Sequence, residues 1–257
     1  MTEPVPAPDL QGRVILITGA AGSLGGLAAK TLAEAGAQLI LLDKAVPALE
    51  RLSDRIAAAG GPMPALYPLD FCAAAEADYQ TLADSVDQHF GVLHGLLHSA
   101  ADLGNPCPLH DVGALAWQTL LLVNLTAPFL LTRALMPLLS RAPDRASVVF
   151  TTDSSARRGG AYWGAYGVAK QALEGLAHMW SEELEAAGRI RIHLLAPGPV
   201  RSTLRRRSHP AEPADSLPSP ETLAPHYLQL FHPDCPLASG SVVEIHRQPS
   251  ACDSRVQ

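Results

Sequence analysis

The sequence predicts an α/β chain in which a parallel sheet is covered by helices on both faces. Three observations predict it: short β-branched and leucine-rich runs recur along the chain, helical segments alternate with them, and glycines punctuate the junctions. The strand-like runs are almost continuously apolar, the pattern of strands buried on both faces. With 257 residues, 47% of them hydrophobic, the chain has material for a large core. One domain over 1–257 is expected, with flexible tails at 1–10 and 248–257.

The elements follow in order. Residues 13–18 read as a first strand, a glycine-rich turn comes next, and 24–35 carry alanine-rich helical periodicity ended by Gly36. A second strand falls at 38–42, a helix at 47–59 closed by Gly60 and Gly61, and a third strand at 65–69. The alternation continues with a helix at 74–90, a strand at 94–98, helical segments over 111–140 and a strand at 147–151. A helix at about 162–187 and a strand at 190–195 complete it. Prolines, serines and the triplet Arg205, Arg206 and Arg207 mark 201–220 as a long loop over the C-terminal edge of the sheet. A helix at 220–231 and a strand at 241–246 close the domain. The chain has no internal repeat.

Composition excludes several function classes. A formal charge of −6 and a modest charged fraction of 17% give no attraction for nucleic acid or anionic membrane. Residues 1–8 lack the positive and apolar regions of a signal peptide. The longest apolar stretch, 120–131, is interrupted by Asn124, Thr126 and Pro128 and is too short to span a bilayer. A cytoplasmic protein is expected. Cys72, Cys107, Cys235 and Cys252 are scattered without a CxxC pair, and the ten histidines form no ligand-like spacing, so neither disulfide nor metal is expected.

Tyr166 and Lys170 carry the chemistry. Four residues apart in a helix, they share a face, and a phenol beside a buried ammonium is a proton-transfer pair. An unrelated Tyr and Lys on a surface helix is the plain alternative. The turn Thr18, Gly19, Ala20, Ala21, Gly22, Ser23, Leu24 and Gly25 joins the first strand to the first helix, where glycines admit a pyrophosphate to the backbone and the helix N-terminus. Asp43 ends the second strand, placed to accept hydrogen bonds from the adenosine ribose; an ordinary strand-end turn is its alternative. That carboxylate would repel a 2′-phosphate, so NAD is favoured, with Lys44 softening the preference toward NADP. Asp70 ends the third strand at the same edge and reaches the adenine amine or simply makes a turn.

In this ordered set the chain resembles the compact single-domain branch of the short-chain dehydrogenase/reductase family over about 13–246, most of all a bacterial oxidoreductase subgroup. The resemblance implies a three-layer, Rossmann-like doubly wound fold with a mostly or wholly parallel seven-stranded sheet. It implies an NAD(P)-dependent interconversion of a secondary alcohol and a ketone. Tyr166 would transfer the hydroxyl proton, Lys170 would lower the Tyr166 pKa and hold the nicotinamide ribose, and Asn124 would anchor a proton-relay water or plug a helix kink. Phe71, Ser99, Ala100, Pro197, Gly198, Val200 and Ser202 fall where the family meets its cofactor. Helical faces would form a homodimer or homotetramer.

Three positions depart from the family pattern. The NNAG stretch after the fourth strand is His98, Ser99, Ala100 and Ala101, so the bracing Asn is shortened to Ser99. Ser23 replaces a glycine, leaving TGxxGxxG, a pattern of the longer sugar-nucleotide branch, whose added substrate domain the residues after Lys170 are too few to supply. The position of the substrate-orienting Ser, counted back from Tyr166, holds Asp153, flanked by Thr152 and Ser154. An ionised carboxylate there repels a developing alkoxide and raises the Tyr pKa. Asp153 is then protonated and donating, or Ser154 substitutes, or carbonyl reduction is crippled and the protein binds nucleotide with little turnover as a sensor or assembly component. Arg157 and Arg158, with the 205–207 triplet, are candidates for an anionic substrate group or a solvated charge run, and Tyr162 and Trp163 for the cleft lining or packing at a helix start.

Overall fold

The computed structural model describes residues 9–154 and 158–245. Expectations for Arg157, for His246 in the last strand, for Cys252 and for the tails at 1–8 and 248–257 lie outside these residues, whereas Leu10, expected in the flexible N-terminal tail, is buried and donates its amide to the Ala35 carbonyl at 2.8 Å. The strands are β1 (Val14–Thr18), β2 (Gln38–Asp43), β3 (Ala65–Pro68), β4 (Gly95–His98), β5 (Ala146–Thr151), β6 (Ile190–Ala196) and β7 (Val242–Glu244). They form one seven-stranded sheet in the order β3-β2-β1-β4-β5-β6-β7, every neighbouring pair parallel. The strands β1, β5 and β6 are buried throughout, which explains their unbroken apolar runs.

The helices are α1 (Ser23–Glu34), α2 (Val46–Ala58), α3 (Glu76–Phe90), α4 (Ala114–Leu121), α5 (Ala127–Ser140), α6 (Gly164–Glu185), α7 (Thr203–Ser208) and α8 (Ala224–Phe231). Two buried clusters flank the sheet. One joins Leu16, Leu96, Val148 and Ile192 to the apolar faces of α3, α5 and α6; the other joins Ile17, Leu39, Val149 and Leu195 to α1, α2 and α8. Alternate residues of each strand thus serve opposite faces, as the pleat requires. Sequence order reverses between β1 and β4, opening a crevice at the carboxyl ends of the central strands.

Two elements differ from expectation. The helical segments expected over 111–140 run into one another: α4 and α5 are joined by a π-helical turn, Leu122–Thr126, so the apolar run noted at 120–131 belongs to a continuous 27-residue helical stretch. By length and composition that stretch could cross a bilayer; here it lies beside the sheet, with Leu131 and Leu135 buried in the core. The loop expected over 201–220 contains α7, whose first turn is capped by Ser202 Oγ accepting from the Arg205 amide at 3.1 Å. Its proline and serine content masked this short helix.

Candidate active site

A cleft of about 590 Å³ opens at the strand-order reversal and runs from the glycine turn to Tyr166. Gly19 has φ of +65°, and a Cβ there would lie 2.6 Å from the Ala100 backbone, so only glycine lets β1 and the loop after β4 approach this closely. A Cβ on Gly25 would stand 2.2 Å from the Gly19 carbonyl oxygen, locking the turn into the start of α1. The N-cap of α1 is Gly22, which supplies no side-chain cap, and the first turn holds no acidic residue. The first-turn amides and the helix dipole therefore face the cleft without a side-chain anion, which fits a pyrophosphate.

At the far side of the turn, Asp43 accepts from the Ala21 amide at 3.1 Å and from the Ala45 amide at 3.0 Å. This is the strand-end role, with lone pairs left over for a ribose. Lys44 Nζ stands 3.7 Å from Asp70 Oδ1, which also accepts from the Cys72 amide. Thr18 Oγ1 accepts from the amides of both Ser99 and Ala100 at 3.2 Å, so the threonine ending β1 braces the loop after β4.

Asn124 is fully buried in the π turn. Its amide nitrogen donates to the Leu120 and Asp102 carbonyls, both at 2.8 Å, and its oxygen accepts from the Asp102 amide at 3.1 Å. The side chain therefore plugs the widened turn and ties it to the β4 loop.

Tyr166 and Lys170 are both buried on one face of α6. Tyr166 donates its hydroxyl to Asp153 Oδ2 at 3.1 Å. Burial first, then the charge and hydrogen bond of that carboxylate, hold the phenol well above its usual value. The expected lowering by Lys170 does not prevail: the ammonium lies 5.7 Å from the ring centroid and donates to the Thr151 carbonyl at 2.8 Å. Burial pushes Lys170 down to about 8, against the opposing charges of Asp153 and Glu174.

The remaining candidates divide cleanly. Gly22, Ser23, Leu24, Phe71, Pro197, Gly198, Val200 and Ser202 line the same cleft as Asp43, Lys44, Asp70, Asp153, Tyr166 and Lys170. Ala21, Asn124 and Ser154 do not; Ser154 is buried and its hydroxyl has no hydrogen-bond partner among the described residues, so it does not take over a position at the cleft. Thr152 lines the cleft and donates to Glu174 at 2.6 Å.

Of the arginine triplet, Arg205 is paired through two hydrogen bonds with Glu212, at 2.6 and 2.8 Å, and Arg207 donates to the Gly104 carbonyl across the cleft mouth. The sequence reading missed that α7 is tied to the glycine turn, the Thr203 amide donating to Ser23 Oγ at 3.2 Å. It also missed Asp102 and Leu204 in the lining. The capping pattern of Ser202 before Arg205 was the available signal. Tyr162 is exposed at φ of +71°, whereas Trp163 packs 5.8 Å from Tyr166 and 5.9 Å from His209.

The short chain dehydrogenase family model matches residues 13–213, most of the chain, a span that contains Asn124, Tyr166 and Lys170. The chain belongs to this family. Membership makes the chain an NAD(P)-dependent oxidoreductase with the family's Rossmann-like fold. Among curated relatives, the uncharacterised oxidoreductase YciK of Escherichia coli (strain K12) is 36% identical over 230 residues, covering 89% of this chain and 90% of its own. A solved short chain dehydrogenase of Pseudomonas syringae is 39% identical with a TM-score of 0.88, covering 95% of this chain and 99% of its own. Another, from Shigella flexneri 2a (strain 301), was solved with NADP; it is 34% identical with a TM-score of 0.88, over 93% of this chain and 98% of its own.

Proposed function

We propose that this short-chain dehydrogenase transfers hydride between a nicotinamide dinucleotide and a small substrate, interconverting a secondary alcohol and a ketone, with Tyr166 as the proton-transfer group. One observation carries this reading: Tyr166 and Lys170 stand buried at the end of the same cleft that begins at the glycine turn. The bound nicotinamide supplies or accepts the hydride. Lys170, anchored on the Thr151 carbonyl, is positioned to hold the nicotinamide ribose, and Ser99, Ala100, Pro197, Gly198 and Val200 shape the floor beneath it. Asn124 acts through position, keeping the loop after β4 in place.

NAD is the preferred nucleotide in this reading, because the Asp43 carboxylate stands in the cleft at the tip of β2 and repels a 2′-phosphate. Lys44 offsets part of that repulsion, and the NADP held by the Shigella flexneri structure is the counterweight. We place the protein in the cytoplasm, as a homodimer or homotetramer acting on a small molecule. Calorimetry with NADH and NADPH, followed by turnover of an alcohol and ketone panel, tests the reading. Submillimolar nucleotide binding with measurable turnover supports it. Tight binding with no turnover of any substrate class, in the parent and in Asp153→Ser, moves the assignment to a nucleotide-binding protein; the Tyr166–Asp153 hydrogen bond is the observation favouring that alternative.

A further inference from the structure

Resting on the hydride-transfer reading, we propose that Glu174, which stands outside the cleft, is the positioning residue for the Lys170 ammonium and, through it, for the nicotinamide ribose. Tyr166, Lys170 and Glu174 follow one another at four-residue intervals and share one face of α6. Thr151 and Thr152, at the end of β5 and just past it, meet the last two. The Thr151 carbonyl accepts from Lys170 Nζ at 2.8 Å, and Thr152 Oγ1 donates to Glu174 Oε1 at 2.6 Å.

The second tie sets the first. At 2.6 Å the Thr152 hydroxyl has the separation of a donor on an ionised carboxylate, the stronger kind of hydrogen bond. Thr152 is buried, lines the cleft and donates its amide to the Leu195 carbonyl of β6 at 2.8 Å. Backbone and side chain together therefore pin this point between β6 and α6. The carbonyl that holds Lys170 belongs to the preceding residue and is fixed with it.

Charge acts in the same direction. Lys170 is buried and donates to a neutral carbonyl, so its ammonium depends on nearby carboxylates for compensation. The groups facing it are Tyr166 and Glu174 on α6, Asp153 after β5 and His98 at the end of β4. His98 is paired with Thr132 at 2.8 Å, and burial and then Lys170 push it down to about 3, so it is neutral near pH 7. The two carboxylates oppose the burial that lowers Lys170 to about 8. Asp153 stands in the cleft, where substrate and nicotinamide meet it, and receives the Tyr166 hydroxyl. Glu174 is half-buried and does not line the cleft, so its support of Lys170 persists when the cleft fills.

The chain has three lysines, Lys30, Lys44 and Lys170, so NMR of isotope-labelled lysine, assigned with Lys170→Met, follows the Lys170 ammonium without turnover. Glu174→Gln keeps an oxygen for Thr152 and removes the charge; the proton affinity of Lys170 is expected to fall at least about threefold. Calorimetry at about pH 8 then shows NADH bound about three- to tenfold more weakly, whereas ADP, which carries no nicotinamide ribose, binds as in the parent. At about pH 6, where Lys170 is protonated in both proteins, NADH affinity returns to that of the parent, a rescue that a merely structural defect does not give. Thr152→Val keeps the charge and cuts the tie, and it weakens NADH while sparing ADP at both pH values. An unmoved Lys170 titration in Glu174→Gln, with NADH bound normally by the parent, overturns this inference and leaves the hydride-transfer reading standing. Equal losses of NADH and ADP overturn it too. Failure of the parent to bind either NADH or NADPH overturns both.

Discussion

Replacing Asp153 by serine removes two of the three contributions that hold Tyr166 high, the carboxylate's charge and its hydrogen bond, and leaves only burial. The phenol should then ionise at lower pH, and tyrosinate absorbance read against Tyr166→Phe controls will show the displaced step. Asp153 also supports the protonated form of Lys170, so the same substitution moves Lys170 below its present value of about 8. Lys170 has a stability consequence of its own. Between about 8 and its ordinary 10.5 the unfolded chain holds a proton that the folded chain has lost, so this residue's contribution rises with pH across that window. Below it, the protonated side chain is buried at full cost. Urea unfolding of Lys170→Met should show a flatter dependence through that range.

Individual elements set what each side chain can do. The π turn exists with Asn124 inside it, and Asn124→Ala leaves the Asp102 amide and two carbonyls without their partner. The expected cost is about 2 to 4 kcal/mol, measured by thermal or urea unfolding. Gly25→Ala sets a methyl group against the Gly19 carbonyl, a clash of backbone with side chain that neither rotamer change nor solvent relieves. Nucleotide affinity should fall at least about tenfold with far-ultraviolet dichroism retained, since β1 and α1 keep their packing. In α7, Glu212→Gln weakens the charged pairing with Arg205, and hydrogen exchange over 203–212 should quicken while the sheet is unaffected.

Elements of this kind also show where sequence reasoning stops. The strands were legible because burial on both faces makes each one an uninterrupted apolar word, and α1 and α6 because their glycine boundaries and helical spacing agree. The π turn was not, since an extra residue in a turn shifts no hydrophobic period far enough to notice. Tyr166, Lys170 and the glycine turn were legible through spacing alone. The Thr18 brace and the Arg205–Glu212 pair depend on how elements meet in space, which local pattern does not encode.

At the scale of the whole molecule, the seven parallel strands place every turn that follows a central strand at one end, so residues as distant as Gly19, Asp153 and Ser202 share a cleft. The outer helical surface carries the remaining message. Phe129 stacks on Trp180 at 5.7 Å, and Leu115, Val168 and Met179 are exposed on α4 and α6. We expect a second copy of the chain to cover this apolar surface. Light scattering after size exclusion should give two or four chains, and Val168→Glu with Met179→Glu should lower that number without loss of helix content.

The near-contact between Gly19 and Ala100 also bears on engineering. Two segments that meet with no room for a methyl group are a single module, although eighty-one positions separate Thr18 from Ser99 in the chain. A glycine turn borrowed from another nucleotide-binding protein will graft here only if 98–101 travels with it. Conversely, saturation libraries that vary Gly19 alone will sample mostly chains that fail to close this contact, and libraries that vary it together with 98–101 will recover the working pairs.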